Sequence, residues 1–368
     1  MIPVKEWVPA IRTFYDEHER ALALTFFLGG ILWDALTLRT IDNLVDNLIL
    51  SGYLVSLTAV LILDLNLQAG RLKTSRIKDP EAWLRGTTQF LLGALLSAFV
   101  IFYSRSVTWS AHLAFWVILI VGAVLNEFLT RKVSVFPAQL AFLTFCSATM
   151  FAWLVPVLVG SMSLWVFRLS LLCSLLWSAG VFWYARKLGR LHMTRFGPLS
   201  AWIIPALLLF LDMGYRYNWI PPVPLSVQEG GVYNRIERQG DHFLLEWQTD
   251  RTGWFAPDYA KTVYRAPGEP VYGFAAVFAP TRLKQTLVHA WQQWDPATET
   301  WRTTDRIPYR MNGGREEGYR GTTRKQNIAA GRWRIVVETE EGKVLTRIPF
   351  EVAESRPEEP LTTVSIER

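Results

Sequence analysis

Seven apolar stretches, each about 18–25 residues long, fill residues 21–217 of this chain, and basic residues crowd every second gap between them. A helix rises 1.5 Å per residue, so such a stretch covers the ~30 Å of hydrocarbon in a bilayer. The expected spans are 21–38, 44–66, 87–103, 109–128, 135–159, 162–184 and 198–217. On one side of them lie Lys5, Arg12, Arg20, Arg71, Lys73, Arg76, Lys78, Arg85, Arg131, Lys132, Arg186, Lys187, Arg190 and Arg195; on the other lie only Arg39, Arg105 and Arg216. The positive-inside rule then expects a cytoplasmic N-terminus, and an odd number of spans expects everything after residue 217 on the far side. Trp7, Trp83, Trp109, Trp165 and Trp219 fall near the expected boundaries, where amphipathic rings anchor at the headgroups.

Charge separates two regions. Residues 1–222 carry 18 Lys and Arg against 12 Asp and Glu, whereas residues 223–368 carry 20 of each. The net charge of +6 therefore belongs to short loops between spans, which argues against nucleic acid as a partner and for the lipid bilayer. Residues 4–18 place Val4, Trp7, Val8, Ile11, Phe14 and Tyr15 on one helical stripe, so residues 1–20 read as a cytoplasmic amphipathic helix lying in the interface. Glu6, Asp16, Glu17 and Glu19 are wrong for a basic leader, and the first apolar run reads as a retained span. The only cysteines, Cys146 and Cys173, sit inside spans and read as small apolar residues.

Charged and polar groups within the spans are costly and need partners. Asp34, His112, Arg168 and Asp212 all lie toward the outer ends of their spans, and Arg168 is at the depth of Asp212 and of Asp34. A structural ion pair is the plainer reading; a polar pocket under the outer leaflet, as in a transporter or lipid-modifying enzyme, is the alternative. Asp42 and Asp46 at the start of the second span suit the helix N-terminal dipole.

Beyond Pro221-Pro222-Val223-Pro224 the period changes to two. Strands are expected near 232–238, 242–249, 270–279, 285–294, 300–310, 318–325, 331–340 and 343–352, the last two joined at Glu340-Glu341-Gly342-Lys343. The expected architecture is a transmembrane all-α domain at 21–220, a Pro-rich linker at 221–230, an all-β immunoglobulin-like antiparallel sandwich at 231–352 and a disordered tail at 353–368.

Leu287-Val288-His289-Ala290-Trp291, Arg320-Gly321-Thr322-Thr323-Arg324-Lys325, Gly331-Arg332-Trp333-Arg334 and Gly342-Lys343-Val344-Leu345 resemble a bacterial domain family known only as domain of unknown function 2914. The shared features are a His-x-Trp strand, an Arg-x-x-Ser/Thr-x-Lys segment and a closing Gly-x-Trp-Arg hairpin. The resemblance implies a module that follows a multi-span membrane region; it implies no activity.

The chain has no Gly-x-Ser-x-Gly elbow, His-Glu-x-x-His helix or phosphate-binding loop, and its five histidines are scattered. The expectation is therefore no catalytic set, no cofactor and no metal. His289 and Trp291 share a strand face, and with Arg320, Lys325, Trp333 and Arg334 they form the candidate binding set, either an anion- or sugar-binding face or, for the tryptophans and His289, simply core. The functional expectation is an anchored extracytoplasmic domain that binds an envelope protein or glycan. A sensor is a third class, weakened by the lack of an output domain.

Overall fold

The computed structural model describes residues 43–72, 80–104, 112–128, 136–189, 197–240, 242–249, 259–264, 268–314, 317–353 and 362–367, with single positions at 32, 34, 36–38, 41 and 106. Six helices come first among these: α1 (Leu44–Gln68), α2 (Pro80–Ser104), α3 (Leu113–Phe128), α4 (Phe136–Val159), α5 (Leu164–Lys187) and α6 (Gly197–Arg216). Four of them (α1, most of α2, α4 and α5) are long and apolar enough to cross a membrane, as in a membrane protein. The seven expected helices are thus six here, because the expected span at 21–38 lies mostly outside the described residues. So does the interfacial helix at 1–20. Of the fourth expected span, 109–128, residues 109–111 lie outside the described residues, and α3 covers Leu113–Phe128.

The chain divides into two compact units. The first gathers residues 1–104, 115–151 and 170–211, which is the bulk of the helices. Asn43 starts α1 by accepting from the backbone N–H groups of Val45 at 2.9 Å and Asp46 at 3.2 Å, an N-cap beside which Asp46 meets the helix dipole. Leucines and aromatic rings fill the interior, with Leu95, Phe99, Phe102 and Leu140 buried. Sparse polar links cross between helices: Ser147 and Ser174 hydroxyls at 2.6 Å, Trp177 Nε1 donating to Thr58 Oγ1 at 3.0 Å, and Tyr184 OH donating to Asn66 Oδ1 at 2.9 Å. Small or paired polar groups of this kind suit helices packed in lipid. Large apolar side chains also point outward, including Leu44 (71% exposed) and Trp202 (73%). Among the described residues, every large apolar side chain this exposed lies between Leu32 and Trp219. Water would penalise such a surface; hydrocarbon does not.

The second unit holds residues 105–114, 152–169 and 212–368. Its eleven strands are β1 (Ser226–Tyr233), β2 (Arg235–Gln239), β3 (His242–Thr249), β4 (Thr262–Tyr264), β5 (Val271–Phe278), β6 (Lys284–Asp295), β7 (Thr300–Asn312), β8 (Tyr319–Lys325), β9 (Gly331–Thr339), β10 (Val344–Ala353) and β11 (Thr362–Glu367). They form three sheets, ordered β1-β5-β8, β4-β10-β9-β6-β7 and β11-β3-β2. All pairings are antiparallel except β4 with β10. Tyr233, Trp247, Phe274, Trp291, Trp333, Ile335 and Phe350 bring the three sheets to one apolar core. Period-two alternation drives this: Trp333, Ile335 and Val337 of β9 point inward while Arg332 and Arg334 point away.

Two expected boundaries move. The linker is shorter than 221–230, since β1 begins at Ser226. The tail is not wholly without structure, because Thr362–Glu367 pairs along β3 and Ile366 packs against the core. A sheet edge with an apolar side chain to bury outweighs the acidic, Pro-rich composition ahead of it.

Within this second unit, the turn between β9 and β10 meets the ends of two helices. Gly342 (φ 78) takes the left-handed conformation that closes the turn. Glu341 accepts at 2.9 Å from the backbone N–H of Leu164, the first residue of α5. Lys343 Nζ donates to the carbonyls of Tyr215 at 2.7 Å and Arg216 at 3.2 Å, the last residues of α6. A carboxylate thus meets a helix N-terminus and an ammonium a helix C-terminus, each charge matched to its dipole end. Burial holds the Lys343 ammonium pKa below its usual value.

Candidate functional site

The five-stranded sheet separates the candidate residues by face. On its inner face, β6 carries His289 and Trp291, both fully buried. Thr323 of β8 joins them: its hydroxyl lies 2.9 Å from His289 Nδ1 and accepts from Trp291 Nε1 at 3.3 Å. The Ser/Thr position of the Arg-x-x-Ser/Thr-x-Lys segment therefore ties down both ends of the His-x-Trp pair. Tyr309 of β7 packs edge-on to the His289 ring at 4.8 Å, and a side chain at Gly321 would collide with the Tyr309 ring. Burial drives the His289 pKa down to about 3, so the imidazole is neutral at ordinary pH. Its Nε2 has no partner among the described residues. These groups hold a core together; they offer no accessible stacking platform.

Trp333 is buried too, its Nε1 donating to the Ala329 carbonyl at 2.8 Å. Lys325 lies 5.5 Å over its ring and pairs with Asp305, whose carboxyl pKa it lowers by hydrogen bonding. Arg320 pairs with Glu317. Both cations at this rim are matched by carboxylates.

Arg334 lies on the opposite face, with neighbours that the sequence reading did not single out. Its guanidinium sits 4.2 Å over the Trp301 ring, and its Nε donates to Gln292 Oε1 at 2.7 Å. Trp301 meets Trp294 edge to face at 5.3 Å, and Arg332 lies 5.4 Å over Trp294. Gln292 Nε2 donates in turn to Thr303 Oγ1 at 3.0 Å. The result is an interleaved row, Arg332–Trp294–Trp301–Arg334, across β9, β6 and β7. Its rings are half-buried and Arg332 is exposed. Cation–π stacking and the Gln292 bond hold the guanidiniums in place while leaving donor N–H groups for a partner. Burial, with the nearby positive charge of Arg347 adding to it, lowers the Arg334 pKa to about 10. The signal for this row was in the sequence: Trp294 and Trp301 flank one turn, and Arg332 alternates with Trp333. Alternation along β6 puts Trp294, three positions after Trp291, on the opposite face; a register shift in the β6–β7 pairing after Trp291 then sets Trp301 directly opposite Trp294.

Of the intramembrane set, Arg168 and Asp212 meet, Nε to Oδ1 at 3.1 Å, with Arg168 also 5.3 Å over the Trp165 ring. His112 is buried and within electrostatic reach of Arg347 of β10. Asp34 belongs to the first unit, beside Ser97. Among the described residues no group of three His, Cys, Asp or Glu side chains could hold a metal ion.

No curated protein matches the chain. Solved structures similar to it include β-glucosidase from Listeria innocua in complex with glucose (11% identity, 31% of this chain and 16% of that one, TM-score 0.19) and the same enzyme in complex with gluconolactone (10%, 33% and 17%, 0.19). A third is Pseudomonas fluorescens alkylpurine DNA glycosylase AlkC bound to DNA containing an abasic site analog (12%, 86% and 100%, 0.21). The chain spans under a fifth of the length of the two β-glucosidase chains, and likenesses this weak carry no argument about fold or function. Residues 284–352, from β6 through β10, match the model described as "Protein of unknown function (DUF2914)", so the chain carries a DUF2914 domain there.

Proposed function

We propose that this chain is a multi-pass protein of a bacterial cytoplasmic membrane that presents an extracytoplasmic, immunoglobulin-like β-sandwich for binding an envelope partner. The observation that carries the reading is the Arg332–Trp294–Trp301–Arg334 row, a pinned and partly exposed cationic and aromatic surface on a domain in which Arg306, Arg320 and Lys325 are each paired with a carboxylate. Support for the sandwich comes from sheets that share one core. Support for membrane insertion comes from the four long apolar helices and from outward large apolar side chains that, among the described residues, are confined to 32–219. Orientation follows from the lysines and arginines crowding alternate loops. The transporter or lipid-modifying alternative draws less support, because a direct Arg168–Asp212 pair is a sufficient reason for those two charges.

A photoreactive residue placed at Trp294 or Arg332 in living cells is expected to capture an envelope component, and a periplasm-dependent reporter fused after Val352 is expected to be active. A cytosolic reporter signal would overturn the topology. An absence of adducts at both positions, with adducts forming at a control site such as Arg310 at the far end of β7, would overturn the binding face.

A further inference from the structure

Not every cation of the DUF2914 region is neutralised from within. Arg306 pairs with Glu338, Arg320 with Glu317 and Lys325 with Asp305. Arg332 and Arg334 are stacked on indoles, and their recorded contacts among the described residues include no carboxylate. Two residues apart on β9, they stand on one face about 6–7 Å from each other. Their surroundings are polar: Gln292 and Thr303 carry amide and hydroxyl groups able to bond hydroxyls. Half-buried rings faced by guanidiniums leave no apolar hollow of the sort that seats the hydrophobic centre of a protein interface. Fixed positive charge, ring edges, amide and hydroxyl groups together suit a hydrated, polyhydroxylated anion.

We infer that the Arg332–Trp294–Trp301–Arg334 row binds an acidic polysaccharide, with the two guanidiniums taking carboxylates of the sugar chain and Gln292 and Thr303 taking its hydroxyls. This deepens the partner-binding reading and rests on it. The chemistry is direct: a planar guanidinium offers paired donors to a carboxylate, and stacking on an indole lowers the side-chain entropy lost on binding. Burial and, after it, the positive charge of Arg347 work against the Arg334 guanidinium, and an incoming anion offsets both.

The test uses the full chain in neutral-lipid nanodiscs, with polygalacturonate, neutral dextran, poly-glutamate and anionic-lipid vesicles as separate probes. Binding to polygalacturonate is expected, weakening as salt rises from about 50 to 200 mM, with dextran bound at least tenfold more weakly. The double variant Arg332→Gln/Arg334→Gln is expected to lose tenfold or more, and Trp301→Leu several-fold. Arg310→Gln, at the far end of β7, is expected to change binding less than twofold. Each variant is checked by near-ultraviolet circular dichroism and thermal melting, and for any that melts early Arg332→Lys supplies the comparison: a planar paired-donor role predicts a loss there as well. Equal losses from Arg310→Gln would overturn the site in favour of a diffuse field. Poly-glutamate or vesicles bound as tightly as polygalacturonate would overturn the polysaccharide assignment. Cellular adducts at Trp294 without polygalacturonate binding would overturn that assignment and leave partner binding standing; loss of both would sink both.

Discussion

The helices and the sheets of this chain solve burial in opposite ways. In the helical unit, apolar side chains lie both inside and outside, and a few serine, threonine and tyrosine hydroxyls stitch neighbours together. In the β unit, most apolar side chains point into one core, and the outer face of the five-stranded sheet carries a small buried cluster of Ala290, Val336 and Val344 beside arginine, glutamine and indole. Where the surrounding solvent is itself apolar, burial contributes little and packing with small polar contacts takes over. Where the solvent is water, the hydrophobic effect sets the core and leaves the outer face open to specialised chemistry.

That contrast can be broken at four places, in descending size of effect. Trp291→Ala empties a fully buried indole site beside Phe350 and removes one of the two bonds at the Thr323 hydroxyl, so unfolding of the β unit should become easier by about 3–5 kcal/mol. Arg332→Gln should move the same denaturant midpoint by no more than about 0.5 kcal/mol. Second, acid should weaken the β unit. His289 has a native pKa near 3, below the ~6.5 of an unfolded histidine. Its contribution is therefore present above pH ~6.5 and is lost as pH falls toward 3, by about 2 kcal/mol at pH 5. Melting curves of His289→Gln should lack that component, and an unchanged pH slope would refute a neutral buried imidazole.

Third, Lys343→Met removes the donor to the Tyr215 and Arg216 carbonyls, and should lower stability by about 1.5 kcal/mol, read as earlier proteolysis at the β9–β10 turn. Smallest is Ser147→Ala in the helical unit. Interhelical hydrogen bonds in lipid average about 0.6 kcal/mol, so a loss of that size is expected in a detergent-denaturation series. A cost several times larger would mean that the helices depend on polar contacts far more than their apolar surface suggests.

Much of the strand layout was legible because alternation survives wherever one face is buried: β3, β5, β6, β9 and β10 lie within a residue or two of their expected limits. β4 was not, since three residues are too few to show a period and its partner β10 is distant in sequence. β11 hid behind its flanking composition. For the site, residue type pointed to the right strands and misjudged the face. His289, Trp291 and Trp333 read as a surface only if the sheet between them and Arg334 is ignored. The register shift after Trp291, which sets Trp301 opposite Trp294, depends on a bulge that periodicity cannot register. Spacing offered Arg168 either Asp34 or Asp212, and choosing between them needed three dimensions.

The turn at Glu341-Gly342-Lys343 has a mechanical consequence. Two residues on one tight loop hold the first residue of α5 and the last of α6, which are more than 50 positions apart along the chain. Within the second unit the sheets are thus held to those helix ends by two charge-matched rivets as well as by the covalent exit through Pro221. A sideways load applied to β9, the strand that carries Arg332 and Arg334, would be shared between both helix ends at once, as torque through a yoke.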